Sequence, residues 1–476
     1  MSASRPPIDV AVIGAGAAGC ITALAFARRG ARVLLLEAHP GASTRLAGEW
    51  LHPAAVRILE SLGVSELPRP QGRGFAIFPA DDGEPIRLEY ARGSLGLTCD
   101  HAALVAALRE AAAADPHVTY VPFAHPVRLD GQRLTIEREG HAADSVVAGT
   151  IVGADGRSAL SRRWLGLRDD RVPVSCTAGL LLEDAELPHE GLGHLVLSGP
   201  GPAFIYRIGA RHLRACLDVP SGVPRGTEQA AYLWNGYGRA LPEALRPAFC
   251  RALEARPIMW AANYFRPRAA YGRPGLALVG DAVGHFHPLT AVGLTLGFQD
   301  GACLARSASF EAYRRERTML SHVPEIMAMV LYEVFATRDG GAGALRAATF
   351  RMLRGDAAAR ERTLRLLAAE DPGVLSFSRP FLTAAAMTTG RVIHDVASAQ
   401  RWPHGMRVML YLHRRLTWIA MQALIGVLRP ASGPGTRRLS EMLSGAARWA
   451  GPIARVRGAP LLVEVAPGAP GPNRAS

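Results

Sequence analysis

The sequence predicts an α/β protein: a Rossmann-like nucleotide-binding domain, an inserted β-sheet substrate domain, and a C-terminal helical region. Three observations predict this. Residues Asp9 to Glu37, DVAVIGAGAAGCITALAFARRGARVLLLE, read as strand, glycine-rich turn, helix and second strand. Two later stretches, around Asp155–Gly156 and Gly280–Asp281, repeat the pattern of a buried strand delivered to a turn before a helix. Strand-rich sequence from Val172 to Pro220 separates those two turns, and from Glu311 onward the pattern is helical with no parallel-sheet signal. The expected division is 1–70, 99–170 and 269–310 for nucleotide binding, 71–98 and 171–268 for the β-sheet domain, and 311–465 for the helices. The Pro- and Gly-rich end, 466–476, is expected to be disordered.

In the first unit Gly14 allows the tight turn and Gly16 lets the backbone, with Ala17 and Ala18, approach a pyrophosphate. Gly19 permits close helix–strand packing. Glu37, closing the second strand, is placed to accept ribose hydroxyls. An acid there argues against a 2′-phosphate and favours FAD or NAD over NADP as the bound dinucleotide. Next comes a loop through Pro53 into an amphipathic helix with Val56, Leu59 and Leu62 on one face. Arg45 stands close enough to reach a phosphate, or is simply solvated. Gly74 to Glu89 alternates as a strand pair, and His101 to Ala114 reads as a helix carrying Arg109. Val118 to Val152 reads as a short meander that delivers Gly153, Asp155, Gly156 and Arg157 to the second turn. Two strands around a turn at Gly209–His212 then make the wall of a separate cavity.

The stretch Ala277–Arg306, ALVGDAVGHFHPLTAVGLTLGFQDGACLAR, carries the central expectation. A strand ends at Gly280 and Asp281, and a loop leads to a helix starting near Val292. A carboxylate at a strand end accepts a ribityl hydroxyl, and free N–H groups at a helix start suit negative charge on a reduced flavin. His285 and His287 beside Pro288 have no acidic or Cys partner in register, so loop structure is expected and no metal. Six scattered cysteines lack CxxC spacing and suggest neither disulfides nor a metal site.

These segments together resemble the single-component FAD monooxygenases of the p-hydroxybenzoate hydroxylase fold, and within them the squalene monooxygenase (squalene epoxidase) family. The likeness is carried by TRLAGEWLHPAAVRILESLGV, LVAALREA, PAFIYRIGARHLRACLDVP, GDAVGHFHPLTAVGLTL and VLYEVFA. It implies FAD contacts from Glu37, Arg45, Arg109 and Asp281, with Gly293 and Leu294 beside the isoalloxazine and Pro288 also among the cofactor-binding residues. Departures are His52, where the family usually has Gln at the flavin-side mouth of the substrate tunnel, and AVGL at 291–294 in place of Gly-Gly-Gly-Met. His52 and Tyr90 are the candidate catalytic pair near the flavin edge; each could equally be a satisfied, half-buried side chain.

The activity implied is FAD-dependent insertion of one atom of O2, through a flavin C4a-hydroperoxide, into an isoprenoid or polyene lipid. NAD(P)H would supply electrons directly or through a separate reductase. Ring hydroxylation of an aromatic or quinone and FAD-dependent reduction of an isoprenoid lipid are the competing readings. A halogenase would need a Lys and a Trp-x-Trp-x-Ile-Pro run; the chain has no Lys at all. A disulfide reductase would need a redox Cys pair and a second GxGxxG.

The net charge of +13 is uneven. Residues 372–476 hold 13 Arg against 3 acids, or +10, while the body is nearly neutral. Lys runs and interleaved aromatics are missing, so a nucleic-acid partner is not expected. The run Leu416–Leu428 is 13 residues, short of the roughly 18 to 20 that span a membrane. Flanking Arg407, Arg414, Arg415 and Arg429, the amphipathic stretch 438–449, and Trp418 and Trp449 suggest docking on a membrane surface. An ordinary helical domain is the competing reading. No signal peptide is read at the N-terminus, and a cytoplasmic, membrane-peripheral protein is expected.

Overall fold

A computed structural model describes residues 8–41, 46–64, 71–80, 83–158, 160–220, 228–255, 257–337, 340–399 and 402–428. Arg429, the stretch 438–449 and the tail 466–476 lie outside them. The described helices, in chain order, are α1 (Ala17–Ala27), α2 (Pro53–Ser61), α3 (His101–Ala114), α4 (Leu160–Trp164), α5 (Glu228–Gly236) and α6 (Arg246–Ala255). There follow α7 (Gly293–Arg306), α8 (Phe310–Ala336), α9 (Gly340–Gly355), α10 (Ala357–Leu367), α11 (Val374–Ala399) and α12 (Trp402–Leu428).

The first sheet is parallel at its centre. Strands Leu276–Leu278, Asp144–Gly153, Ile8–Ile13, Val33–Glu37 and Val118–Pro122 lie in that spatial order, with Val12 opposite both Val152 and Leu35. Val10–Ile13 and Val33–Leu36 are buried without alternation, because both faces of the sheet are covered. One face packs on α1, α3 and α7, the other under the hairpin His125–Asp130/Arg133–Glu137. The expected meander is thus divided. Its first strand joins the parallel sheet at an edge, its middle pair folds back as a hairpin, and its last crosses to the sheet centre.

A second, seven-stranded sheet runs Met259–Phe265, Val172–Glu183, His212–Val219, Ala203–Arg207, Leu192–Val196, Gly74–Phe78 and Ile86–Glu89. Every neighbour pair is antiparallel except Leu192–Val196 with Gly74–Phe78. Period-two alternation gives it two unlike faces. Leu213, Ala215, Leu217 and Val219 pack with α5 and α6, while Arg214, Cys216 and Asp218 point the other way. Phe75, Ile77, Phe204 and Tyr206 share that other face and join a core with residues of α8 to α12.

α8 is long and apolar enough to cross a membrane by length and composition, yet 67% of its apolar window is buried inside the fold. It is a core helix. α12 corrects two expectations about the membrane face. Trp418 is 1% exposed, and Arg415 is buried, donating to Glu333 at 2.5 Å. A buried Arg needs a carboxylate, and α8 supplies it; neither residue is free to meet lipid.

Candidate active site

The glycine turn is built as its spacing requires. Gly14 has φ +99°, and a Cβ on Gly19 would lie 1.8 Å from the Gly14 carbonyl, so only glycine lets α1 meet the turn. Glu37 Oε2 accepts from Ala15 N at 2.8 Å and Oε1 from His39 N at 2.8 Å. Arg109 approaches Glu37 at 3.1 Å and donates to the carbonyls of Ala15 and Pro40 at 2.8 and 2.6 Å. It braces the turn and its terminal acid together. Arg45 lies outside the described residues.

Asp155 departs from its expected place. Its carboxylate accepts from Ser161 N at 2.8 Å and Ser161 Oγ at 2.6 Å, tying down α4. Burial raises its pKa against those bonds. It therefore turns away from the cavity; its neighbours Ala154, Gly156 and Arg157 line the wall.

The Gly280–Asp281 turn rests on a buried charge cluster that the sequence reading missed. Asp300 of α7, 0% exposed, accepts from Gly280 N at 2.9 Å, from Arg317 Nε at 2.8 Å, and from Arg268 Nη2. Arg268 Nη1 in turn donates to the carbonyls of Gly280 and Gly284 at 3.1 and 3.0 Å. A lone acid on an otherwise apolar helix face was the available signal, since a buried carboxylate demands cations; which ones, spacing cannot say. Above this support Asp281 reaches the cavity, with Arg157 Nε 3.5 Å from its Oδ2.

A cavity of about 370 Å³ lies between these turns and the seven-stranded sheet. Gly16, Ala17, Ala18, Gly280, Pro288, Gly293 and Leu294 line one side, and Thr177, Phe204, Tyr206 and Asn263 the other. Both helix starts at its wall are uncapped by side chains: Gly16 precedes α1 and Val292 precedes α7. A second, apolar cavity of about 50 Å³, walled by Ile77, Leu195, Leu331 and Phe335, shares Phe204, Leu289 and Thr290 with the first.

His52 and Tyr90 meet directly. His52 Nε2–H donates to the Thr290 carbonyl at 3.0 Å, which leaves Nδ1 to accept from the Tyr90 hydroxyl at 2.7 Å. Trp50 Nε1–H donates to the same hydroxyl at 3.1 Å. Burial pulls His52 down to about 4 and pushes Tyr90 far above its ordinary value, so both stay neutral. Neither lines the cavity. They stand one layer behind it and fix the Thr290 loop that leads into α7, to which His52 N adds a bond to Thr295 Oγ1 at 3.2 Å.

Glu49 is buried and lines the cavity beside the sheet wall. Arg214 donates to it through Nε at 2.9 Å and Nη2 at 2.8 Å, and Tyr206 OH donates at 3.0 Å. The polar alternates of LRACLDV were the sequence signal for Arg214. His287 also corrects the expectation of no acidic partner: its Nε2 lies 2.8 Å from Asp218 Oδ1, brought from a strand 69 residues away. Among the described residues no group of three or more His, Cys, Asp or Glu could hold a metal.

These residues fit a dinucleotide flavin. A Cβ on Gly16 or Gly293 would meet no described atom within 4 Å, leaving room beside both free helix starts, where phosphate and flavin charge are stabilised. Buried His285 Nε2 and Thr290 Oγ1 on the same cavity lack hydrogen-bond partners among the described residues. The fold and site define an FAD-dependent oxidoreductase of the monooxygenase type. Residues 148–401 match the family model for squalene epoxidase, and residues 9–73 that for FAD dependent oxidoreductases. The squalene epoxidase erg1 of Aspergillus fumigatus is 30% identical over 72% of this chain and 78% of its own. A squalene monooxygenase of Panax ginseng is 27% identical over 84% and 79%. Among solved structures, the probable FAD-dependent monooxygenase pqsL of Pseudomonas aeruginosa aligns with TM-score 0.58 at 20% identity, over 70% of this chain and 98% of its own. A flavoprotein/dehydrogenase of Cytophaga hutchinsonii aligns with TM-score 0.63 at 17% identity, over 79% and 95%. The chain belongs to the squalene epoxidase family, and it is an FAD-dependent monooxygenase.

Proposed function

We propose that the protein epoxidises an isoprenoid or polyene lipid of the squalene type, using O2 and electrons from NADPH delivered through a reductase. The observation that carries this reading is the pair of adjoining cavities. One side of the first is made of nucleotide turns, and from it an apolar path continues past Phe204 and Leu289 between the sheet and α8 to α10. Bound FAD, once reduced, supplies the electrons that activate O2. The chain's own residues do the rest. Asp281 accepts a ribityl hydroxyl, and the N–H groups at Gly293 and Leu294 stabilise negative charge on the flavin edge. Apolar walls exclude water from the reacting atoms. His52 and Tyr90 act as positioning residues, holding the Thr290 loop and hence the start of α7. An isolated alkene needs no general base, which agrees with a neutral, fully bonded His52–Tyr90 pair. The test is O2 uptake driven by NADPH, FAD and a reductase in the presence of squalene or of a simple phenol. Uptake with the phenol alone would favour ring hydroxylation, and a saturated product without uptake would favour a reductase.

The second part of the reading concerns α11 and α12, which dock on a membrane surface. Leu375, Leu382, Met406, Leu410, Leu424 and Val427 are exposed there, with Arg407 and Arg414 among them. Apolar side chains bordered by cations suit an anionic lipid interface. Sedimentation of the full chain with anionic vesicles tests it. Unchanged recovery for a Leu410→Glu, Val427→Glu double variant would count against this face.

A further inference from the structure

We propose that the Thr290 hydroxyl is the hydrogen-bonding contact for the oxygen atom in transfer, placed where the flavin-side cavity opens into the apolar one. This rests on the epoxidation reading and gives a role to a side chain that reading leaves unused. Phe204, Leu289 and Thr290 line both cavities. Oxygen activated on the flavin side and an alkene lying on the apolar side meet at this junction, and of these side chains Thr290 alone carries a polar atom. Thr290 is 3% exposed, and its Oγ1 has no hydrogen-bond partner among the described residues. A buried hydroxyl left unpaired is costly, so folding alone gives no reason for it.

The rest of the residue is held still while the hydroxyl is left open. Its carbonyl accepts from His52 Nε2 at 3.0 Å, and the imidazole is fixed from behind by the Tyr90 hydroxyl, to which Trp50 Nε1 donates. Next in the chain, Ala291 has φ +52°, a left-handed conformation unfavourable for an L residue, and its N–H donates to the Pro288 carbonyl at 2.8 Å. Strain of this kind persists where surrounding contacts over-determine the backbone. Neighbouring polar side chains are engaged elsewhere: His287 with Asp218 and the Leu289 N–H, Thr295 Oγ1 with the His52 N–H. A hydrocarbon substrate makes no claim on the Thr290 hydroxyl, which stays available to oxygen. One atom of O2 goes to the alkene and the other leaves as water, with the electron pair drawn from NADPH and the two protons from NADPH and solvent. Where the O–O bond breaks, negative charge develops on the oxygen left behind, and the Thr290 O–H in a dry site stabilises it without giving up its proton.

The experiment compares Thr290→Val, which keeps the shape and removes the hydroxyl, with Thr290→Ser, which keeps the hydroxyl. FAD content, urea unfolding and squalene binding by tryptophan fluorescence are measured beside the yields of epoxide and of H2O2 per NADPH oxidised with a reductase. Thr290→Val should retain FAD and bind squalene as the wild type does, and its unfolding midpoint should hold or rise, because no internal bond is lost. Its epoxide yield per NADPH should fall about tenfold or more, as the loss of one hydrogen bond to a charged group warrants, with H2O2 making up the difference. Thr290→Ser should restore most of the yield. An unchanged yield in Thr290→Val, or no recovery in Thr290→Ser, overturns the role of the hydroxyl alone. So does a lowered unfolding midpoint or lost flavin in Thr290→Val, which marks a hydroxyl bonded within the fold. A wild type that forms no epoxide from squalene overturns the epoxidation reading and this role with it.

Discussion

Replacing His52 by Gln should make the protein less sensitive to acid without dismantling the site. In the fold a Gln can accept from Tyr90 OH and donate to the Thr290 carbonyl, the two bonds that His52 makes. What it cannot do is titrate. Burial lowers His52 from 6.5 to about 4, so the unfolded chain takes up a proton from pH 6.5 downward while the folded chain resists until near 4. The folded value is depressed, so this contribution to stability is complete above pH 6.5 and is lost as the pH falls toward 4. The shift corresponds to about 3 kcal/mol in full, of which about 2 kcal/mol is gone at pH 5. His194 and His285, also lowered to about 4 by burial, titrate alike in both proteins and cancel in the comparison. Urea unfolding at pH 8 and pH 5 measures the difference directly. The wild type should lose about 2 kcal/mol more than His52→Gln between those two pH values. Identical pH dependence in the two proteins would refute a neutral, buried His52.

Asp300→Ala strands Arg268 and Arg317 in the core and should cost about 3–5 kcal/mol by urea unfolding; a loss below about 1 kcal/mol would contradict the charge cluster. Asp281→Ala should leave the fold intact yet strip FAD or slow its reduction, read from flavin absorbance after gel filtration and from stopped-flow reduction by NADPH with a reductase. Gly19→Ala drives a Cβ into the Gly14 carbonyl and should cost at least about 1–3 kcal/mol along with FAD retention, whereas unchanged flavin content would disprove the close approach. Glu49→Gln removes the carboxylate that Arg214 grips through two nitrogens, leaving this buried cation only Asp100 at 3.6 Å, and should lower the unfolding midpoint more than Glu60→Gln, a change on the exposed side of α2.

What could be read in the sequence was whatever local geometry enforces. The glycine turn, the acid closing the second strand, the start of α7 and the α3 boundaries all follow from backbone rules acting over a few residues. Asp300, Arg268 and Arg317 escaped because a buried ion cluster is assembled from separate segments, and no spacing rule links them. The partnership of His287 with Asp218 escaped for the same reason: register across the sheet, and not distance along the chain, brings them together. Asp155 was misplaced because a turn acid before a helix can serve a ligand or cap the helix, and only the Ser161 contacts choose between them. Arg415 and Trp418 were expected at a lipid surface on amphipathic grounds. Glu333 and the α8–α12 core claim them instead, a tertiary pairing invisible in either helix alone.

The most direct test of the account is isotopic. Protein, FAD, NADPH, a reductase and squalene are incubated under 18O2, and the lipid extract is analysed by mass spectrometry. An FAD-dependent monooxygenase acting on the alkene yields an epoxide carrying a single labelled oxygen, formed only when NADPH is present. A product without label, or squalene returned unchanged while a phenol is hydroxylated, would contradict it.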